Sequence, residues 1–436
     1  MFQVIASVWA LLLGMTLIMI GNGMQATLMG VRGAIEGFGT LELSIITSGY
    51  FLGFLVGSRL APELIRRVGH VRVFAALGSF LSAGLIAFPV LTDPISWTVI
   101  RVVIGFCLSG VYVTAESWLN NAATNQTRGK VLSLYMVAQM AGLIVAQGMM
   151  NLGEAAGYFL FVIPSILVSL SFAPILLSVT PTPAFESTKP MSLRQLYDHS
   201  PLASVGILLL GGVFAAQFGM ASVYGAAAGL SVAQITGFVA AIFVGSMVWQ
   251  FPVGWLSDRM DRRLLILGMA AIGAVSTVVG LFAGIQFETL LVLAFIMGGV
   301  ANPLYALFIA YTNDTLEAED MAAASGGLIF AYGVGAIAGP IIMGQVMELV
   351  GPEGFWLFSA VIFVAITLYA SWRMTRRAAV PVDETGSYLG VLPTSSPVAV
   401  EAAQEWYVEQ AEDAAEAAEA EAAAEAAAGA DHSARR

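Results

Sequence analysis

Runs of about twenty predominantly apolar residues recur along most of this chain, and no other feature restricts its fold as strongly. At 1.5 Å rise per residue such a run spans roughly 30 Å, the thickness of a bilayer's hydrocarbon core. Backbone polar groups find no water there, so each run must satisfy them internally as a helix. Twelve spans are expected, near residues 4–28, 40–60, 72–92, 97–119, 130–152, 157–179, 202–227, 232–256, 264–284, 289–312, 322–347 and 355–374. The run at 4–28 lacks a basic flank and is too long for a cleaved leader, so it reads as the first span. The expected fold class is an all-α membrane protein with twelve transmembrane helices.

Charge is sparse and unevenly placed. Of 436 residues 58% are hydrophobic and 11% charged, where a soluble domain has about a quarter charged. The net charge of −11 comes almost wholly from the end of the chain: residues 378–436 hold 12 acidic and 2 basic residues. The acidity therefore describes an appendage and not the apolar body. Lysine and arginine give the orientation. Arg59, Arg66, Arg67, Arg72, Arg128, Lys130, Lys189, Arg194, Arg259, Arg262, Arg263, Arg373, Arg376 and Arg377 lie in or beside connections of one parity, and Arg32 alone in those of the other. Both termini are expected on the cytoplasmic side of the membrane.

Several function classes fall away. Cys107 is the single cysteine, so neither an internal disulfide nor a thiolate metal site is expected. His70, His199 and His432 sit in connections or in the tail. No nucleotide-binding Gly-Lys loop and no nucleophile–base pairing is apparent. The expectation is a protein that is not an enzyme and has no cofactor, no metal and no nucleic-acid partner.

The connection at 180–201 divides the body into halves at 1–179 and 202–377. Arg67 and Arg259 are 192 residues apart, as are Asn121 and Asn313, each pair at the same point of its half. Two six-helix, pseudo-symmetric halves would account for this. The tail, 378–436, is Ala- and Glu-rich, yet like charges four apart such as Glu401–Glu405 and Glu405–Glu409 oppose a helix. A frayed, solvated acidic extension is expected, the alternative being a partner-binding helix anchored by Trp406 and Tyr407.

One turn carries more than topology. "GWLSDRMDRR", Gly254 to Arg263, holds three arginines that orientation explains and two aspartates, Asp258 and Asp261, that it does not. The pattern resembles the G-x-L-x-D-R-x-G-R-R loop signature of the major facilitator superfamily. "RVVIGFCLSG" places Arg101 and Gly105 at that family's R-x-x-x-G spacing, although Gly110 is offset from the usual third position. "AESWLNNA", "LIRRVGHVRVFA" and "YTNDTLEAEDMAAASGGLIFAYGVGAIAGP" resemble its YcaD-like bacterial branch most. The resemblance covers residues 1–377. The glycine–proline run "YGVGAIAGPIIMG" in span 11 reads as close packing and a bend.

The resemblance implies a secondary active transporter of a small solute, with protons as the coupling ion and a monomer as the working unit. It implies an inner gate in which Gly254 allows close approach, Asp258 faces the start of span 5 near Arg128 and Gly129, and Arg259 or Arg262 bridges to Asp314. The first-half copy keeps Gly57, Arg67 and Gly69 but has Arg66 at the Asp position, so its lock needs another partner such as Glu116. Spans 1, 4, 7 and 10 would line a cavity. Asn22, Gln25, Tyr112, Gln217, Asn302 and Tyr305, with Gln139 of span 5, are the substrate candidates there, Asn302 and Gln217 foremost. Each amide could instead serve as interhelical glue. Glu116 and Arg101 are the proton-coupling candidates; Glu116 could equally be a gate partner, and Arg101 could snorkel to the outer boundary. A transporter-derived sensor or scaffold acting through the tail is the competing reading.

Overall fold

The computed structural model describes residues 2–376, except 125–126, 177–190, 285 and 317, and residues 380–406, except 382–384, 387 and 397. Lys189, Arg377, Tyr407, the acidic run beyond it and most of the 180–201 connection lie outside the described residues. The helices in order are α1 (Phe2–Ile35), α2 (Thr40–Val68), α3 (His70–Ala87), α4 (Pro94–Ala122), α5 (Arg128–Met149), α6 (Phe159–Leu176), α7 (Leu193–His199), α8 (Pro201–Ala215), α9 (Ala221–Ala227), α10 (Val232–Ser257), α11 (Arg262–Phe282), α12 (Phe287–Asn313), α13 (Ala318–Val350) and α14 (Gly354–Met374). A π-helical turn, Ala216–Met220, joins α8 to α9 into one crossing.

Eleven described helical stretches are long and apolar enough to cross a bilayer. α6 stands where the sixth span was expected; it is apolar but shorter, and the chain beyond Leu176 is outside the described residues. Helices also outrun the apolar segments. α1 continues to Ile35 and α2 to Val68, past the expected ends at 28 and 60. Hydropathy marks where lipid ends, whereas a helix continues until something stops it. The stops here are Gly37 and Gly69, with φ of 81° and 86°, values that glycine tolerates and other residues rarely adopt. Gly69 alone joins α2 to α3.

Starts are equally local. Asp93 accepts from Ser96 N at 2.9 Å and Pro94 opens α4. Ser231 and Gln234 form a capping box on α10. Asp261 accepts from Arg263 N at 2.9 Å to begin α11. Each satisfies donors that the first helical turn leaves unpaired.

Lipid is as apolar as leucine, so helices in a bilayer associate through close packing at small residues. Gly53 of α2 lies against the Val102 carbonyl of α4, and Gly105 of α4 against the Tyr50 carbonyl of α2; a β-carbon at either would overlap the carbonyl. The arrangement recurs between α10 and α12, with Gly245 against Phe295 O and Gly298 against Ile242 O. Gly53 and Gly245 are 192 positions apart. Gly335 and Gly339 of α13 meet Leu208 O and Gly212 of α8 in the same manner. The two sets join where Ser48 of α2 donates to Ile337 O of α13 at 2.8 Å and Asn151, after α5, donates to Thr236 of α10 at 3.2 Å. Phe80, Ile95, Phe282 and Leu349 point outward, where lipid would cover them.

The largest departure from expectation is the start of the tail. Residues 385–406 turn back into the bundle, with 398–406 helical. Leu392, Ser396, Val400, Ala402 and Gln404 are buried. A solvated extension is thus incorrect for this segment. Residues 388–400 carry no charge, and the acidity that suggested solvation belongs mostly to residues beyond 406.

Candidate functional site

A central space lies among α1, α4, α5, the α8–α9 crossing and α12. Asn22, Tyr112, Gln139 and Asn302 line it, with Met19, Met140, Phe214 and Phe218. Leu392, Pro393 and Thr394 of the tail close it at the end of the bundle where α2 meets α3, α10 meets α11 and α12 meets α13, hereafter the tail face. With the tail in place the remaining voids are water-sized. Tyr112 OH donates to Met19 Sδ at 3.1 Å, and the Thr394 side chain also reaches it. Asn302 Nδ2 donates to Ser246 Oγ at 2.7 Å, while its Oδ1, Asn22 Oδ1 and Gln139 Nε2 are buried without hydrogen-bond partners. Buried polar atoms left unpaired are costly, and a hydroxyl- or amide-bearing solute could satisfy them.

Three expected cavity residues do not line this space. Gln217, in the π turn, donates to Met297 O at 3.2 Å and so ties its crossing to α12. Tyr305 packs edge-on against Tyr332, with ring centroids 5.4 Å apart. Gln25 accepts from Arg101. Gln25 and Tyr305 share a helix face with Asn22 and Asn302, three residues earlier, and lie about one turn further along the axis; the depth at which neighbouring helices part is not specified by sequence spacing.

Arg101 is 1% exposed, so snorkelling is excluded. Its guanidinium lies 4.6 Å over the Tyr50 ring as well as on Gln25. Glu116, fifteen residues further along α4, is also 1% exposed. It accepts from Tyr135 OH of α5 at 3.0 Å and from the backbone N–H of Ser396 at 2.8 Å.

At the tail face, Arg262 and Asp314 form an ion pair with both side chains 2% exposed. Arg262 also donates from Nε to Ser257 Oγ at 3.0 Å and from its guanidinium to Gly386 O. Arg259 instead lies 4.5 Å over the Trp255 ring. Asp258 was expected to face the start of α5; its carboxylate instead accepts from Tyr388 N at 2.7 Å and sits 3.9 Å from Arg262. Partial burial raises its pKa above the ordinary aspartate value, against the opposing pull of Tyr388 N–H and the two arginines. The start of α5 is taken by the tail too: Arg128 pairs with Glu405 at 3.3 Å, and a β-carbon at Gly129 would lie 2.9 Å from the Trp406 ring. Gly254 was expected to let two helices approach; what it admits is the Tyr388 ring, 2.7 Å from the position a β-carbon would take. In the first half, Gly57 allows α2 to approach Phe106 O of α4, Gly69 forms the turn, and Arg67 reaches only Glu63, at 2.7 Å on the exposed surface.

Residues 386–406 are thus the part of the site that the sequence reading missed. An uncharged run inside an acidic tail was the one available signal.

The sequence model of the Major Facilitator Superfamily matches residues 11–249 and 202–399. The chain is 24% identical over 345 residues to the uncharacterised MFS-type transporter YcaD of Escherichia fergusonii, covering 78% of this chain and 89% of that one. Against the YcaD of Salmonella paratyphi A it is 25% identical, covering 80% and 91%. Among solved structures, the nucleoside transporter NupG superposes with a TM-score of 0.71 at 16% identity, covering 84% of this chain and 98% of that one. The D-xylose-proton symporter gives 0.66 at 14%, covering 83% and 97%. The chain belongs to the Major Facilitator Superfamily: it is a multi-pass membrane transporter of a small molecule, and not an enzyme.

Proposed function

We propose that this transporter is a secondary active carrier that moves a small polar solute by alternating access and couples it to protons. The observation that carries the reading is the ring of Asn22, Tyr112, Gln139 and Asn302 around one space between the two sets of helices. Amides and a phenol with unpaired polar atoms suit a neutral, hydroxyl-rich or amide-bearing solute. Toward the opposite end the two sets are in contact: Gly30 of α1 abuts α9, a β-carbon there falling 2.7 Å from Val223 N. Toward the tail face the space is bounded by Leu392, Pro393 and Thr394 of the tail. The basic connections make that face cytoplasmic, with both termini on it, in a bacterial inner membrane.

With α6 as the sixth crossing, the body is two six-helix halves, 1–179 and 202–377, joined by the loop at 180–201. The repeat of the Gly53 contact at Gly245 supports their duplication. The candidate path lies inside one chain, which fits a monomer. Glu116, the carboxylate at the inner margin of the path, is the proton carrier in this reading. The Asp258–Arg262–Asp314 cluster is the inner gate; intact surface expression together with intact transport in Asp258→Ala would remove that role.

The test is a thermal-stabilisation screen of purified protein with nucleosides, pentoses and organic acids, the first two because the neighbours in fold carry those names. Stabilising solutes are then followed into proteoliposomes with and without a pH gradient. Accumulation driven by the gradient is expected. Flux insensitive to the gradient would remove proton coupling, and no mediated flux of any stabilising solute would remove the carrier reading.

A further inference from the structure

We propose that residues 386–406 are an intramolecular ligand of the transport path, a plug that holds the carrier open toward the tail face and shuts that opening by filling it. The docking stands on geometry alone; its consequence for flux rests on the carrier reading above.

The described residues of the segment make contacts from Gly386 to Trp406. It begins where Arg262 donates to Gly386 O and Asp258 accepts from Tyr388 N, and Gln250 of α10 donates to Tyr388 OH at 2.8 Å. Leu392, Pro393 and Thr394 then reach the same space as the four polar candidates. Ser396 N–H donates to Glu116 at 2.8 Å. Further on, Gln404 donates to Asn313 of α12 at 2.9 Å and accepts from Ser325 of α13 at 2.7 Å. Glu405 and Trp406 end the contact on Arg128 and Gly129 of α5.

Two consequences follow. First, a solute cannot occupy the tail-face side of the central space while Leu392 and Thr394 are in it. Second, the segment bonds α4 and α5 on one side and α10, α12 and α13 on the other. Bringing the two sets together at this face, as alternating access requires, needs the segment to leave. The composition matches the place. An uncharged run, 388–400, can enter a low-dielectric space at tolerable desolvation cost, whereas charged residues could not.

The experiment uses a reporter thiol introduced by Met136→Cys, at a position buried beneath residues 389–392, in a Cys107→Ala background. Purified protein in nanodiscs is reacted with a charged maleimide. The full chain is expected to label slowly. Leu392→Asp, which puts a charge into the docked segment, is expected to label at least tenfold faster, as is a chain lacking 386–436. A synthetic peptide of residues 386–406 added to the truncated protein is expected to slow labelling again. In proteoliposomes the same two variants should raise the initial rate of the screened solute several-fold. Equal labelling in the full chain and both variants would overturn the docking. Faster labelling with unchanged or reduced flux would overturn the plug. Protection of the reporter thiol by the tail when no solute is carried would support the docking and count against the carrier reading alone.

Discussion

The backbone N–H of Ser396 donates to Glu116 Oε2 at 2.8 Å across 280 positions of sequence, so this buried carboxylate of α4 is held by the protein's own tail. Tyr135 OH holds the other oxygen at 3.0 Å. A carboxylate that must take up and release a proton cannot do so freely while both oxygens accept hydrogen bonds from fixed donors. If Glu116 is the proton carrier proposed above, release of the tail frees one of its two oxygens.

Glu116→Gln keeps an acceptor for Ser396 or Tyr135 and removes the ionisable proton. The variant should remain folded and should still exchange solute down its own gradient, but should lose accumulation driven by a pH gradient. Proteoliposome flux with and without that gradient measures this; unchanged driven accumulation would exclude Glu116 as the proton carrier.

Gln139→Ala should weaken solute binding by roughly tenfold, the effect of one hydrogen bond worth about 1–1.5 kcal/mol. Its Nε2 has no hydrogen-bond partner among the described residues, so little stability should be lost with it. Asn302→Ala should lower both binding and stability, because its side chain also bonds Ser246 at 2.7 Å. Thermal unfolding with and without the screened solute separates the two effects, and identical behaviour of both variants would contradict the assignment.

Asp314→Ala removes the close partner of the buried Arg262 charge and leaves it the more distant Asp258 carboxylate, at 3.9 Å; breaking a buried pair typically costs up to about 3–5 kcal/mol. A marked fall in unfolding temperature is expected. Arg67→Ala, on an exposed side chain paired only with Glu63, should leave the unfolding temperature unchanged. Equal shifts for the two would mean that the Arg262–Asp314 pair is not an inner fastening.

Gly53→Val and Gly245→Val each force a side chain onto a backbone carbonyl that has nowhere to go, an overpacking cost of about 1–3 kcal/mol or more. Both should destabilise by similar amounts, since the same contact is built twice. Gly148→Ala and Gly268→Ala, where an added β-carbon meets nothing within 4 Å, should be close to neutral. The four unfolding temperatures in detergent decide the matter.

Asp261 contributes to the acid dependence of the α10–α11 turn. Burial would raise its pKa, but hydrogen bonds from the Arg263 side chain and backbone hold it below the ordinary aspartate value. A depressed carboxyl stabilises the fold above its unfolded pKa and loses that contribution as pH falls through the folded one. Asp261→Asn should therefore lose less unfolding temperature than the parent protein between pH 5 and a pH below 4, the remaining loss coming from carboxyls such as Asp93 that are also held below their ordinary values.

The apolar runs, the caps and the sparse arginines made the all-helical membrane fold, the family and the gate signature legible in the sequence. All of these are local properties: a bilayer tests each twenty-residue segment separately, and a cap depends on its own turn. Asn22, Tyr112, Gln139 and Asn302 could be named because polar residues in apolar spans stand out. That Gln25, Gln217 and Tyr305 are engaged by Arg101, Met297 and Tyr332 could not be seen, since those partners lie on other helices and meet them only once the bundle has packed. The partners of Asp258, Gly254, Arg128 and Glu116 were decided only in three dimensions. Each meets a residue of the 386–406 segment more than a hundred positions away, and the free energy of such a contact comes from burial and hydrogen bonds that exist only once the bundle has formed the space that receives it.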